Sequence, residues 1–326
     1  MSHYISVPIN ENGIIFDVIM DTVINEAMTP LPLDFRDVFV YSHGWSTDAI
    51  RSMDLYGRFS VELNRVIHTQ ITAETAPTYG FPPQNTFGIG IHWPSDITEN
   101  PDSPLNDLQV LSFYTMEHRA DVVGSNAVYS ILRLLLQARQ TPDTQPLHIN
   151  LIGHSFGCRV VCSAASGIQK DIASNQLPPL RAGTRFNLVL LQGAADNDDL
   201  EASGAYGAIQ QLPARLLVTH SDLDLACGKW YPIASKVANL FRSPKQALGA
   251  LGPTQTAVDQ YGAGVAVAVS PGSYGTGQVG SDKRLVVANL TALHQANASY
   301  QGGVAGHHSD INLPEIYELI TEFLYR

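Results

Sequence analysis

The chain is poor in cysteine, in charge and above all in basic residues. Its 326 residues include three cysteines, Cys158, Cys162 and Cys227. Three thiols make no disulfide framework. Cys158 and Cys162 lie four apart, but no second Cys/His pair is spaced to complete a zinc site, so they read as two buried residues on one helix face. Charged residues make up 15% and apolar residues 44%. That excludes intrinsic disorder, which goes with low hydrophobicity and high charge. Nineteen Lys and Arg stand against thirty Asp and Glu, a net charge of −11. Such a chain lacks the clustered cations that a nucleic-acid backbone or an anionic membrane surface needs. No apolar run reaches the roughly 18 residues that cross a bilayer. Met1–Asn10 has neither the basic nor the apolar region of a signal peptide. A cytoplasmic location is therefore expected, although a secreted chain with its leader removed would read the same. Repeats, long linkers, H-E-x-x-H and dense Asp/His clusters are missing too, so no metal or cofactor is expected.

What remains is a regular alternation of short apolar runs and helical patterns. This predicts one α/β domain over 1–326, with a mostly parallel sheet and helices on both faces. Asp37–Ser42, Phe87–Trp93, Leu147–Ile152, Asn187–Gln192, Leu216–Thr219 and Arg284–Asn289 read as strands covered on both faces. Ile5–Pro8 and Ile14–Val18 flank Asn-Glu-Asn-Gly, which predicts an opening hairpin. Helical spacing runs over Phe113–Gln137 and over Pro314–Tyr325. Two uneven stretches, Pro94–Asp107 and Lys229–Lys283, fit neither period. They suggest cap segments over 94–112 and 229–283, the second a lid-like insertion.

The strongest local signal is Gly153-His154-Ser155-Phe156-Gly157. It lies directly after the apolar run LHINLI and before the helical pattern CRVVCSAASGI. This is G-x-S-x-G between strand and helix, the context of a nucleophile elbow. A serine on so tight a turn sits in strained backbone, and glycines two residues to either side remove Cβ atoms that would collide. A serine hydroxyl needs a base, and an imidazole needs a carboxylate to hold its tautomer. Asp222 and Asp224 follow the run RLLVT, and Asp224 is the preferred acid, with Asp222 and then Asp196 behind it. Between the last strand and the closing helix lie His307 and His308. Spacing does not choose between them; His308 is favoured as the base. The backbone N–H of Phe156, after the serine, is one expected oxyanion donor. The N–H of Trp45, in the turn His43-Gly44-Trp45 after the second strand, is the other.

Taken together these residues resemble the α/β-hydrolase superfamily, from about Asp37 onward. Within it the chain is similar to an uncharacterised serine-hydrolase branch. Further pointers are Trp93-Pro94-Ser95, the helix FYTMEHRADVVGSNAVYSILRLLL, Leu248–Pro253, and His308-Ser309-Asp310-Ile311 ahead of Pro314-Glu315. The resemblance implies Ser155 as nucleophile, His308 as base, Asp224 as orienting acid, and Trp45 and Phe156 as the oxyanion hole. The expected activity is hydrolysis of a small-molecule carboxylic ester through an acyl-enzyme. A lipase, a thioesterase or acyltransferase, and an inactive binding protein of the same fold are the alternatives.

Overall fold

The computed structural model describes residues 3–15, 36–45, 47, 49–73, 86–95, 107–138, 146–238, 244–262, 264–274, 279, 283–300 and 303–325. Its strands are β1 (His3–Pro8), β2 (Asp37–Ser42), β3 (Thr86–His92), β4 (Leu147–His154), β5 (Thr184–Leu191), β6 (Ala214–His220), β7 (Val265–Ser270), β8 (Ser273–Tyr274) and β9 (Leu285–Asn289). They form one sheet in the order β1-β3-β2-β4-β5-β6-β9-β7-β8. Every pairing is parallel except the short β7–β8 hairpin. The α/β architecture expected from the alternating pattern is the one observed.

Alternation along each strand divides the core into two layers. On one face Val38, Val40, Ile149, Leu151, Leu188 and Leu190 pack with Val123, Ala127, Val160 and Ala164. These come from helix α2 (Asp107–Val123), from the π-turn over Gly124–Val128 that joins it to α3 (Tyr129–Ala138), and from α4 (Gly157–Ala173). On the other face Phe39, Tyr41, Ile152, Val189 and Leu217 meet Phe59, Leu63, Ile316, Leu319 and Phe323. Those belong to α1 (Ala49–Ala73) and the closing helix (Pro314–Tyr325). Cys158 and Cys162 are both buried on α4, unbridged, as their spacing suggested.

Of the expected opening hairpin, β1 runs parallel to β3, and Ile9 and Ile15 form an antiparallel bridge across the turn. The Asn10 side chain shapes that turn: its Oδ1 accepts from Asn12 N and Ile14 N at 2.9 and 3.0 Å. Residues 16–18, the rest of the expected second strand, lie outside the described residues. The helix expected over Phe113–Gln137 begins at Asp107 and continues to Ala138 through the π-turn. Of the two uneven stretches, 96–106 lies outside the described residues. Within 229–283, Val265–Ser270 joins the main sheet beside β9. Its alternation of Val and Ala was too weak to read as a strand.

Candidate active site

Register decides which loops meet. β2 pairs with β4 so that Ser42 faces Gly153. The chain leaving β2 therefore emerges as His43-Gly44 beside His154-Ser155. β5 pairs with β4 so that Leu191 faces His154, and Ser155 N donates to the Leu191 carbonyl at 3.1 Å. Sites on parallel sheets gather at such carboxyl ends.

Ser155 turns the chain from β4 into α4 with φ 57°, in the left-handed region. Such a conformation costs a non-glycine residue on the order of 1–2 kcal/mol and persists only where the surroundings enforce it. Those surroundings are backbone. A Cβ on Gly153 would lie 2.5 Å from the Gly157 carbonyl, and one on Gly157 would lie 2.1 Å from the Ser42 carbonyl. A Cβ on Gly44 would lie 2.4 Å from Ser155 Cβ and 2.9 Å from its Oγ. The three glycines let β2, the elbow and α4 close around one serine, which is 5% exposed.

The loop after β2 is rigidly mounted. His43 N–H donates to Tyr56 Oη at 2.7 Å, and the Tyr56 hydroxyl donates to the Ile91 carbonyl at 2.7 Å. The His43 ring stacks on Trp93, centroids 5.3 Å apart and planes 4° from parallel. Trp93 Nε1 donates to the His43 carbonyl at 3.2 Å. Ser95 Oγ is tied to the Thr47 backbone on both sides. His43 Nδ1 sits 2.8 Å from the Gly44 carbonyl and Nε2 accepts from Trp93 N at 3.4 Å. Both nitrogens are engaged, which makes His43 a scaffold residue. Trp45 follows it, partly buried against the core.

The acid turn follows β6. Asp224 is wholly buried. Its Oδ2 lies 2.8 Å from His308 Nδ1, and its Oδ1 accepts from Cys227 N at 2.9 Å. A backbone bridge between Asp224 and Gly306 draws the histidine loop onto this turn. Gly306, at φ 61°, allows the approach, since a Cβ there would lie 2.4 Å from the Leu223 carbonyl. His308 in turn touches the elbow. His154 Nε2 donates to the His308 carbonyl at 2.8 Å, and the two rings lie 4.9 Å apart. Burial, helped by His308 beside it, pushes the His154 imidazole down to about 3. It is therefore neutral and serves as a fixed donor.

The structure brings together Asp224 and His308, and lays the His308 loop against Ser155's neighbour. It separates the other candidates. Asp222 is exposed, and its N–H donates to Thr291 Oγ1 at 3.0 Å. Asp196 accepts from the Tyr231 hydroxyl at 2.9 Å and faces Lys245 at 3.7 Å. His307 makes its own pair, Nδ1 to Asp310 Oδ2 at 2.7 Å, and stacks on Tyr300 with ring centres 3.7 Å apart. Asp224, Cys227 and His308 could also group around a metal. However, Cys227 is wholly buried in a turn, and burial raises its thiol well above the ordinary range. A protonated thiol is a poor nucleophile. No family model, curated protein or solved structure matches this chain.

Behind the elbow lies a second polar cluster that no motif signals. Arg159, one turn past Ser155 on α4, is buried and faces Glu117 at 2.9 Å, Asp121 at 2.7 Å and Asp199 at 3.6 Å. Asp121 also accepts from Ser163 and from Tyr206, each at 2.7 Å. Burial pushes the Asp199 carboxyl up to about 7, against the pull of Arg159. Asp196 and Asp198 raise it further, and Lys245 neutralises both, at 3.7 and 2.6 Å. An unfolded aspartate titrates near 4. The folded chain thus holds this proton more tightly, and the stability it contributes is complete below pH ~4 and lost as pH rises toward 7. In denaturant titrations at pH 5, 6 and 7 this group contributes a fall of at most about 1.4 kcal/mol per unit, opposed by histidines that are buried neutral, His154 and His92 among them, whose contribution rises with pH. Asp199→Asn should remove the falling contribution, so that its stability rises more steeply with pH than that of the parent chain; equal slopes would remove Asp199 as a contributor.

Among the described residues no helix is long and apolar enough to cross a membrane.

Proposed function

We propose that this chain is a serine hydrolase of the α/β-hydrolase type, cleaving carboxylic esters through an acyl-enzyme. The observation that carries the reading is the buried Asp224–His308 pair, held against the strained Ser155 elbow by the His154–His308 hydrogen bond. The strand order around the elbow, with the acid after the second strand beyond it, supports the same reading.

The chemistry follows from proton positions. The Asp224 carboxylate accepts a hydrogen bond from His308 Nδ1–H, which keeps the proton on Nδ1 and leaves Nε2 as the basic nitrogen. Nε2 takes the Ser155 proton as Oγ attacks the acyl carbonyl, and Asp224 stabilises the imidazolium formed. The negative charge developing on the carbonyl oxygen is met by the N-terminus of α4, through the N–H of Phe156, and by the N–H of Trp45. Collapse releases the alcohol, which takes its proton from His308. Water, deprotonated by the same imidazole, then releases the acid.

A fluorophosphonate tests this with no knowledge of the natural ester. The phosphonyl group should be recovered on Ser155 by peptide mass analysis. Labelling of Asp224→Asn and of His308→Ala should be slower by about 10³-fold or more. Recovery of the label on another serine, or equal rates in the variants, would overturn the assignment.

A further inference from the structure

Gln192 follows β5 directly and is fully buried. It adopts φ 45°, the left-handed region, although it is not glycine. Strain of this kind needs the surroundings to over-determine the residue. Here its backbone N–H donates to Thr219 Oγ1 at 3.0 Å. Gly249 packs so closely that a Cβ there would lie 2.5 Å from the Gln192 carbonyl carbon. The side chain then reaches across the site. Nε2 donates to the His307 carbonyl at 2.9 Å and approaches Asp224 Oδ2 at 3.5 Å. Both neighbours can only accept, so the amide's orientation is fixed: its NH₂ must face them. Oε1 is left buried without a partner. A glutamine retained for packing alone would gain nothing from that arrangement, because an orphaned buried acceptor is unfavourable.

We infer that Gln192 is a positioning residue for the Asp224–His308 pair, an inference that rests on the proposed hydrolase reading. One amide ties the backbone of the histidine turn to the acid. It also shares, with His308 Nδ1, the carboxylate oxygen that orients the imidazole. Its contribution is twofold. It fixes the distance between β5 and the histidine turn, and it withdraws some charge from Oδ2.

Two variants test this. Gln192→Met keeps the length and removes the amide. Gln192→Glu keeps the shape and places an oxygen where the NH₂ stood. In both, kcat toward a small chromogenic ester should fall by about 10–100-fold with KM within about twofold, since a positioning error acts on the transition state. Without the amide N–H the carboxylate holds more charge and favours the imidazolium. The acidic limb of the kcat/KM profile should therefore move to higher pH by about half a unit or more, and further in Gln192→Glu. Wild-type rates with an unmoved limb would overturn the inference. So would variants whose losses appear only in thermal stability, or the failure of both to fold, since either outcome makes Gln192 a structural fastener. A readout independent of turnover separates this inference from the hydrolase reading: the low-field proton resonance of the His308–Asp224 hydrogen bond, recorded without substrate. Displacement of that resonance in Gln192→Met supports the coupling even if the wild-type protein hydrolyses no ester. An unchanged resonance overturns it even if the protein does.

Discussion

Ser155→Ala is expected to lower kcat toward a small chromogenic ester by about 10⁴-fold or more while the protein stays folded. The hydroxyl is the only atom removed. The elbow is held by backbone contacts, Ser155 N to Leu191 O and Ala194 N to Ser155 O, each at 3.1 Å. Alanine keeps both and also keeps the Cβ, so it retains the strain of φ 57°. Ser155→Gly removes that strain, and should be about 1 kcal/mol more stable than Ser155→Ala in chemical denaturation. The two variants thus separate function from fold: both inactive, one stabilised relative to the other. Retained turnover in Ser155→Ala would end the nucleophile assignment. Equal stabilities would mean that the left-handed turn is not strained.

Much of this site could be read from local sequence because its parts are local. Gly153, Ser155 and Gly157 lie within five residues, and the strand and helix that give them meaning adjoin them directly. The sheet was readable for a similar reason: six strands buried on both faces are near-continuous apolar runs. The choice between His307 and His308 was not readable. It depends on the Asp224–Gly306 bridge, which joins segments about eighty residues apart, and on the ring of His154. Asp222 and Asp224 differ by two positions in one turn, yet one is exposed and the other wholly buried. Only the third dimension separates them. β7 escaped notice because its small, half-exposed residues carry little hydrophobic signal. Gln192 and Arg159 belong to no motif. Each is a polar residue within an apolar stretch, and a buried polar side chain gains its meaning from partners far along the chain.

The same substitution, glycine to alanine, should have opposite signs at two helical positions. At Gly157 a Cβ would lie 2.1 Å from the Ser42 carbonyl oxygen, 2.7 Å from its carbon and 2.8 Å from the His43 oxygen. All three atoms are main chain of β2 and its exit loop, pinned by the ladder to β4 and by the Tyr56 and Trp93 hydrogen bonds. None can swing aside as a flexible side chain would. Helix α4 must withdraw from β2, taking the elbow with it. Gly157→Ala should therefore lose about 3 kcal/mol or more of stability, the upper end of overpacking costs. Turnover should fall as well, because Ser155 moves relative to Gly44. At Gly57, within α1, a Cβ would meet nothing within 4 Å. That glycine lines an open groove between α1 and the closing helix, shared with Asp54, Val61 and Tyr317. Gly57→Ala should stabilise the protein by about 0.5–1 kcal/mol, the intrinsic helical preference for alanine. Its turnover should be unchanged. Denaturant midpoints for the two variants measured side by side check the argument. If both lose stability, helix α1 has a constraint at Gly57 beyond the one described. If Gly157→Ala is neutral, the close approach of α4 to β2 is not what holds the elbow in place.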